Sequence, residues 1–438
     1  MKPIIDAHTH LFCGKDIPLK GYLLSRKYKK GLNWLCSLLI PRIAKCIRKE
    51  TEQPKSKGKK LKCNPLMGLI GLFFGKEYLH WAKTLSKDVE SITADLLDTF
   101  RNDGVHLYIP LLIDFEYWMI NTPDNLIKEQ IELYHDKIII PHKGLIHPFV
   151  SFDPARELAF RKGLTNPEGD PDTDGSLNLV KDAIENKGFI GVKLYNAMGY
   201  KPFDNVSVEH LRTKIPMHKI KYTFSGEEYD DVLAELYDYC VENEVPITTH
   251  CGMYGSESYY NASFDYGAPQ FWRAVLDQEK YKKLHLNLGH FGWYTKKGYA
   301  EDTWVKEICK MLQEYDNLYT DVSCQRVVVE KHTQKFKDDY RKMCTDFPIV
   351  KQRLIYGTDW HYLICVPDFV DYKQKFIQVL QYDNNFSDEE IDDFLGGNAM
   401  KFLGFYNGSK AVQRLEKFYD KNGIGAPQWF QSISLGDN

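Results

Sequence analysis

Short aliphatic and β-branched runs alternate along this chain with amphipathic segments long enough for helices, and this pattern predicts an α/β fold. Eight such runs fit the eight parallel strands of a closed (β/α)8 TIM barrel. The length of 438 residues suits one barrel with insertions, because such barrels often exceed about 250 residues as one domain. The predicted strands are Pro3–His8, Val105–Ile113, Leu145–Phe152, Ile190–Leu194, Pro246–His250, Leu284–His290, Leu318–Asp321 and Leu354–Asp359.

Helices are predicted between these strands. In Glu227–Asn243 the apolar residues recur with a period of about 3.6, as they do on one face of a helix. A second helix is predicted over Thr303–Tyr315, before the seventh strand, and a last one over Glu389–Leu403, with the sequence GGN inside it. Residues 406–438 contain Asn-Gly turns and are expected to form a C-terminal surface extension.

The first two strands are separated by more chain than one βα connection needs, so we expect a helical insertion over about residues 14–88 of a barrel domain at 1–405. One interpretation is a lid or homo-oligomer contact over the barrel mouth, since the first βα loop opens on that face. The other is a membrane-surface anchor, in which apolar residues enter the lipid while lysines meet anionic headgroups. The apolar run MGLIGLFFG is much shorter than the roughly 20 residues that span a bilayer. The anchor would use Arg26, Lys27, Lys29, Lys30, Trp34, Leu35, Leu38, Leu39 and the stretch Lys55–Lys62.

Composition limits the function classes. The net charge of -3 argues against a general nucleic-acid binder, and the 43% hydrophobic content allows a large core. The ten cysteines include no CxxC pair, which favours reduced thiols in a cytoplasmic protein. The opening residues MKPIIDAHTH lack the uninterrupted apolar stretch of a signal peptide, which again favours the cytoplasm.

Histidines and one aspartate stand where predicted strands end. His8 and His10 are two residues apart, so in a strand they share a face and can bind one ion together. His250, His290 and Asp359 end the fifth, sixth and eighth predicted strands. Any one of these residues alone could be a hydrogen-bonded structural group. Five in the same topological position predict a divalent metal site, because a buried cluster without a cation would leave unpaired polar groups.

The ligand order, HxH on strand 1, His on strands 5 and 6 and Asp on strand 8, resembles the amidohydrolase superfamily. The motifs DAHTH, HPFVSFDPAR, GFIGVKLY, LGHFG, NLYTDVS, YGTDW and FLGGNAMKFLGF resemble its amidohydrolase-related (amidohydrolase 2) branch, which includes decarboxylases. The resemblance extends from Lys2 to Phe405, apart from the insertion.

This resemblance implies one metal ion, zinc or another divalent metal such as manganese, held by His8, His10, His250 and Asp359. His290 is then a catalytic group or a ligand of a second ion. A divalent ion makes hydroxide available near pH 7 and polarises a carbonyl. Asp359 is expected to take the proton of the attacking water, and His290 to hydrogen-bond the developing oxyanion.

Lys193 lies in the fourth predicted strand, two residues before Tyr195, which is itself a possible substrate contact or second-metal ligand. Three interpretations are open for it: an ion pair with a buried carboxylate such as Asp153, a contact to a substrate carboxylate or carbonyl, or a carbamate that bridges two metals. His361 could contact substrate or serve only as a loop residue. Cys251, beside His250, is predicted to be an apolar filler because it lacks a partner base. Barrel-lining salt bridges are expected for Asp6, Asp321 and Arg326.

The expected function is hydrolysis of an amide, ester or lactone bond in a small molecule. The first alternative is a non-oxidative decarboxylase, since the same ligand set serves both reactions. The second is a non-catalytic, membrane-associated barrel protein, although a scaffold has no use for a full set of inward-pointing ligands. Tyrosine- and tryptophan-rich loops after strands 5 and 6 fit either an aromatic or sugar-binding wall or a structural cover.

Overall fold

The computed structural model describes residues 2–21, 42–45, 47, 77–119, 121–165, 174–208, 224–258, 261–292, 299–300, 303–329 and 333–434. All eight predicted strands are present in these ranges, although β8 ends well before the predicted Asp359. The strands are β1 Ile4–Thr9, β2 Val105–Pro110, β3 Phe149–Ser151, β4 Gly191–Leu194, β5 Ile247–His250, β6 Leu286–Gly289, β7 Leu318–Asp321 and β8 Leu354–Ile355.

The eight strands are all parallel and follow one another around a barrel. β1 pairs with β2, and β3 to β8 pair in sequence order, all in parallel. Two isolated parallel bridges, Tyr108 with Ile146 and Leu111 with Phe149, join β2 to β3. The N–H of Ala7 donates to the carbonyl oxygen of Tyr356 at 3.1 Å, which joins β1 to the segment after β8. The predicted (β/α)8 TIM barrel is confirmed.

Helices follow the strands as predicted. The Glu227–Asn243 prediction corresponds to helix α7, Gly226–Asn243. It begins after Ser225, whose hydroxyl accepts from the N–H of Glu228, while the Glu228 carboxylate accepts from the N–H of Ser225. The Glu389–Leu403 prediction corresponds to α15 and α16, which a π-helical turn, Asp393–Gly397, connects. The helices are α1 Glu77–Leu85, α2 Val89–Thr99, α3 Ile127–Tyr134, α4 Ile140–His142, α5 Pro154–Arg161, α6 Ser176–Asn186, α7 Gly226–Asn243, α8 Ala262–Tyr266, α9 Arg273–Leu276, α10 Trp304–Glu314, α11 Thr333–Asp346, α12 Val350–Arg353, α13 Trp360–Leu363, α14 Tyr372–Leu380, α15 Asp388–Asp392, α16 Asn398–Phe402, α17 Lys410–Asn422 and α18 Gln428–Ser434.

The described part of the chain between β1 and α2 packs onto the barrel. Trp81 of α1 is buried, as are Ile43 and Ile47, and all three belong to the main hydrophobic core. The basic and apolar residues that a membrane anchor would use lie outside the described residues. No described helix is long and apolar enough to cross a bilayer.

The C-terminal residues form two helices packed against the base of the barrel, where the strands begin. On α17, Leu415 and Phe418 are buried, and Tyr419 donates its hydroxyl hydrogen to Nε2 of His147, just before β3, at 2.8 Å. Trp429 of α18 is buried as well. The sequence suggested only a surface extension here, whereas these helices complete the core at the end of the barrel opposite the strand-end histidines.

Candidate metal centre and active site

β1 and the residue directly after it supply two histidines, His8 and His10, to the barrel mouth, where the strands end. His8 Nδ1 lies 2.9 Å from Oδ2 of Asp321 at the end of β7, and we assign the hydrogen to the imidazole, which donates it to the carboxylate. This bond leaves a lone pair on His8 Nε2, a buried atom with no hydrogen bond to any described residue. Metal-bound histidines commonly have their other ring N–H held in this way.

His10 has the same arrangement with a different partner. Its Nδ1 donates to the carbonyl oxygen of Leu111 at 2.7 Å, which leaves the lone pair on Nε2. That Nε2 lies 3.7 Å from Oδ1 of Asp359, a buried oxygen that accepts no hydrogen bond from any described residue. The N–H of Asp359 donates to the carbonyl oxygen of His8 at 2.7 Å, so the backbone fixes this carboxylate beside the two histidines.

The residues that follow β6, β7 and β8 adopt left-handed backbone conformations. The φ angles are 69° at His290, 55° at Cys324 and 49° at Asp359. Outside glycine, asparagine and aspartate such angles are unfavourable, and they concentrate at functional sites where the surrounding structure enforces them. Here they turn the chain at the strand ends.

His250 and His290 contact each other directly. His290 Nε2 lies 3.1 Å from His250 Nδ1, while His250 Nε2 donates to the carbonyl oxygen of Tyr254 at 3.0 Å. Since Nδ1 of His250 then carries the lone pair, His290 donates to it. The hydroxyl of Ser323 lies 2.9 Å from His290 Nδ1 and donates its hydrogen to Oδ1 of Asp321.

Asp321 is the central acceptor of the cluster. It accepts from Nδ2 of Asn287 at 2.7 Å and from the N–H of His290 at 3.0 Å, in addition to His8. Burial would raise the pKa of Asp321, but His8 and His290 outweigh it and hold the pKa well below its usual range. Ligand atoms of His8, His290 and Asp321 lie within 4.8 Å of one another, so these three also form a candidate metal site. The sequence predicted only a salt bridge for Asp321.

The donor set fits a divalent metal ion. Burial lowers the pKa values of His8 and His10, so both imidazoles are neutral and keep the lone pairs that a ligand needs. Burial also raises the pKa of Asp359 well above its ordinary value, against the charges of Lys193 and Arg326. A cation between His8 Nε2, His10 Nε2 and Asp359 Oδ1 would satisfy the unpaired atoms and keep the carboxylate ionised.

Lys193 on β4 is fully buried, and its Nζ makes no hydrogen bond to any described residue. Burial lowers the pKa of Lys193 to about 8, while the charges of Asp321 and Asp359 act to raise it. The suggested ion pair with Asp153 is wrong. Asp153 instead caps α5, accepting from the N–H of Arg156 at 2.8 Å, and accepts from Nε1 of Trp118. An Asp followed by Pro is a helix-start signal, and it indicates this capping role for Asp153.

A cavity of about 220 Å³ opens above these groups. Tyr195, predicted as a possible substrate contact, is in its wall, and its hydroxyl accepts from the N–H of Ser256 at 2.8 Å. Sequence reasoning did not identify Trp81, Tyr362 or Ser256, which reach the cavity from separate loops and helices, and gave Arg326 only a structural role. The lining residues are His10, Trp81, Ile113, Lys193, Tyr195, His250, Tyr254, Gly255, Ser256, His290, Cys324, Arg326, Asp359, Tyr362 and Cys365.

Other predicted candidates lie outside this cavity. His361 is fully buried, with its ring 4.4 Å from that of Phe12, and neither ring nitrogen bonds to a described residue. Asp6 accepts from the backbone and hydroxyl of Thr358 rather than from a basic side chain. Cys251 is buried, and burial raises the pKa of its thiol, which agrees with an apolar filler.

A protein-family model described as "Amidohydrolase" matches residues 149–405. A sequence search of curated proteins found no match. One similar solved structure is 5-carboxyvanillate decarboxylase from Novosphingobium aromaticivorans with bound manganese, at 13% identity and a TM-score of 0.49, covering 92% of this chain and 97% of that chain. Another is 2,6-dihydroxybenzoate decarboxylase complexed with 2,6-dihydroxybenzoate, at 10% identity and a TM-score of 0.46, covering 92% and 100%. A third is an amidohydrolase from Burkholderia multivorans with bound zinc, at 12% identity and a TM-score of 0.42, covering 92% and 99%.

The family match spans more than half of the chain and includes β3 to β8, with His250, His290 and Asp359. The other two candidate ligands are His8 on β1 and His10 directly after it, and the barrel places both beside β8. The chain belongs to the amidohydrolase superfamily, in its amidohydrolase-related (amidohydrolase 2) branch.

Proposed function

We propose that this protein is a metal-dependent hydrolase that cleaves an amide, ester or lactone bond of a small molecule. One observation carries the proposal: His8 Nε2 and Asp359 Oδ1 are buried without hydrogen bonds to described residues, next to the lone pair of His10 Nε2. Buried polar atoms normally have partners, so this group is better explained as a set of ligands than as part of the core.

His8, His10, His250 and Asp359 are the proposed ligands of one zinc or manganese ion per chain. Such an ion, when bound, polarises a carbonyl and lowers the pKa of a coordinated water to about 7. His250 is suited to bind through Nδ1, because its Nε2 hydrogen is already donated to the carbonyl of Tyr254.

His290 and Asp359 have the proposed catalytic roles. With His250 Nδ1 holding the ion, the Nε2 hydrogen of His290 would be free to stabilise negative charge on the substrate carbonyl oxygen. Asp359 accepts the proton of the attacking water and transfers it to the leaving group.

A second candidate function is non-oxidative decarboxylation of a small carboxylic acid. The observation that favours it is the buried Lys193 ammonium, which lines the cavity together with the Arg326 guanidinium. Two cationic side chains beside the proposed ligands suit a substrate carboxylate. In either reaction we assign Lys193 and Arg326 to binding an acidic group of the substrate.

We also propose a cytoplasmic location and a lid role for the insertion. Cys13, Cys240, Cys251, Cys309, Cys324 and Cys344 are free thiols, which suits a reducing compartment. Trp81, within the insertion, lines the cavity, and this supports a lid over the mouth more than an anchor at a membrane. Homo-oligomer formation through the insertion stays a prediction, to be checked by light scattering.

Metal analysis of the purified protein tests the proposal. Protein expressed with zinc or manganese should carry about one equivalent per chain, and His8→Asn should lose most of it. The matched control is His106→Asn, since His106 is an exposed histidine at the base of the barrel. Less than about half an equivalent in the unaltered protein would refute the metal site.

Product analysis then separates the two reactions. In ¹⁸O-labelled water a hydrolase incorporates the label into its carboxylate product. A decarboxylase releases carbon dioxide and incorporates none, so that result would replace the first proposal with the second.

A further inference from the structure

Three residues separate the cavity at the barrel mouth from a smaller chamber behind it. Trp81, Ser256 and Tyr362 line both spaces. The hydroxyls of Tyr362 and Ser256 are hydrogen-bonded at 2.8 Å, and the Tyr362 ring stacks with Trp81 at a centroid distance of 6.5 Å. These contacts hold the Tyr362 ring as the partition between the two spaces.

The chamber is small and apolar. Its volume is about 10 Å³, at the lower limit for one water molecule. Apart from the three partition residues, the described residues of its walls offer a water no side-chain hydrogen-bonding group. Those walls are Phe12, Ile17, Pro18, Phe115 and Met119.

The larger cavity has both polar and apolar lining residues. Lys193, His250 and Asp359 line its polar part, whereas Trp81, Tyr362 and Ile113 supply large apolar or aromatic surfaces. A molecule whose reacting group lies at His10 and Asp359 therefore has an apolar wall beside it, and the chamber lies directly behind that wall.

We propose that the chamber is a binding subsite for the alkyl chain of an amphipathic acyl substrate. The acyl group lies at the proposed metal ligands, and the chain extends along Trp81 and enters the chamber when the Tyr362 ring turns away from Ser256. This inference rests on the proposed function, because the metal site fixes where the acyl group lies.

A series of alkanohydroxamates tests the subsite, because the hydroxamate group chelates the ion while the alkyl chain varies. The cobalt(II)-loaded protein is titrated calorimetrically with acetohydroxamate, butanohydroxamate and hexanohydroxamate. Each buried methylene should lower Kd by up to about fourfold. In the unaltered protein the affinity gained per methylene should level off at hexanohydroxamate, because turning the Tyr362 ring costs free energy. In Tyr362→Ala the affinity should continue to rise with chain length.

Ile17→Phe provides the opposite perturbation, because the larger ring fills the chamber. Introduced into Tyr362→Ala, where the alkyl chain enters the chamber freely, it should weaken hexanohydroxamate at least about tenfold and leave acetohydroxamate within about twofold. Tyr406→Ala, at an exposed site far from the mouth, is the matched control for loss of a tyrosine. Melting curves establish that each variant is folded.

Two different failures can be told apart. If cobalt or acetohydroxamate does not bind, the proposed function fails and the subsite fails with it. If acetohydroxamate binds but Kd does not depend on chain length in the unaltered protein or in Tyr362→Ala, only the subsite is refuted.

Discussion

The buried histidine beneath the C-terminal helices should make the stability of this protein sensitive to mild acid. His147 is fully buried, its Nδ1 donates to the carbonyl of Gly188 at 2.7 Å, and its Nε2 accepts from Tyr419. Burial lowers the pKa of His147 from 6.5 to about 4, against the effect of the Gly188 bond. The folded protein therefore prefers the neutral ring, and the unfolded chain takes up the proton first as the pH falls.

The sign and size follow from this difference in pKa. The contribution of His147 is complete above about pH 6.5 and is lost as the pH falls through the interval down to about 4. The full loss is about 3 kcal/mol, and between pH 7 and pH 5 it is about 2 kcal/mol.

The assay is urea unfolding of the unaltered protein and of His147→Asn at pH 7 and pH 5, followed by circular dichroism. Asparagine cannot be protonated in this range, so the free-energy difference between the two proteins should shrink by about 2 kcal/mol at pH 5. His142→Asn, in which a partly exposed ring is lost, is the control. A difference that stays constant within about 0.5 kcal/mol would show that His147 does not couple stability to pH.

Three further predictions concern the mouth of the barrel. His290→Asn should keep the metal and lower turnover about a hundredfold or more, as measured by metal analysis and kinetics. Loss of the metal would instead show that His290 is a ligand, which its proximity to His8 and Asp321 allows. Lys193→Met should keep one metal per chain and raise KM or lower kcat for an acidic substrate; a second metal lost in this variant would indicate a carbamate bridge. Deletion of Arg26–Lys62 should leave the barrel folded, as judged by circular dichroism, but lower the melting temperature, because the buried Ile43 and Ile47 are lost. If the intact protein binds anionic vesicles in a salt-sensitive way and the deletion abolishes this binding, the lid interpretation is contradicted.

The strands and the strand-end histidines could be predicted because their signals are local. An aliphatic run followed by a histidine or an aspartate identifies both a strand and the residue at its carboxyl end, as in β5 with His250. The role of Asp321 was underestimated although it ends β7 in the same way, because its function depends on the distance to His8, which lies far away in sequence.

The errors have equally specific causes. The sequence suggested Asp153 as an ion-pair partner of Lys193. In the structure Asp153 instead caps helix α5. The tail contains Leu415, Phe418 and Tyr419 at spacings of three and four residues, a helix signal that the Asn-Gly turns obscured. Trp81 and Tyr362 reach the cavity only through tertiary packing, for which the sequence carries no local signal.

The left-handed backbone after β6 and β7 has a consequence for protein engineering. His290, Phe291 and Cys324 have φ angles of 69°, 46° and 55°, and each non-glycine residue there carries a penalty of about 1 kcal/mol or more. Glycine at any of these positions relieves that strain, although it also removes a side chain that packs or bonds. Selection for thermal stability alone therefore favours variants in which His290 is replaced. A library built on this scaffold should be screened for catalytic activity in the same round.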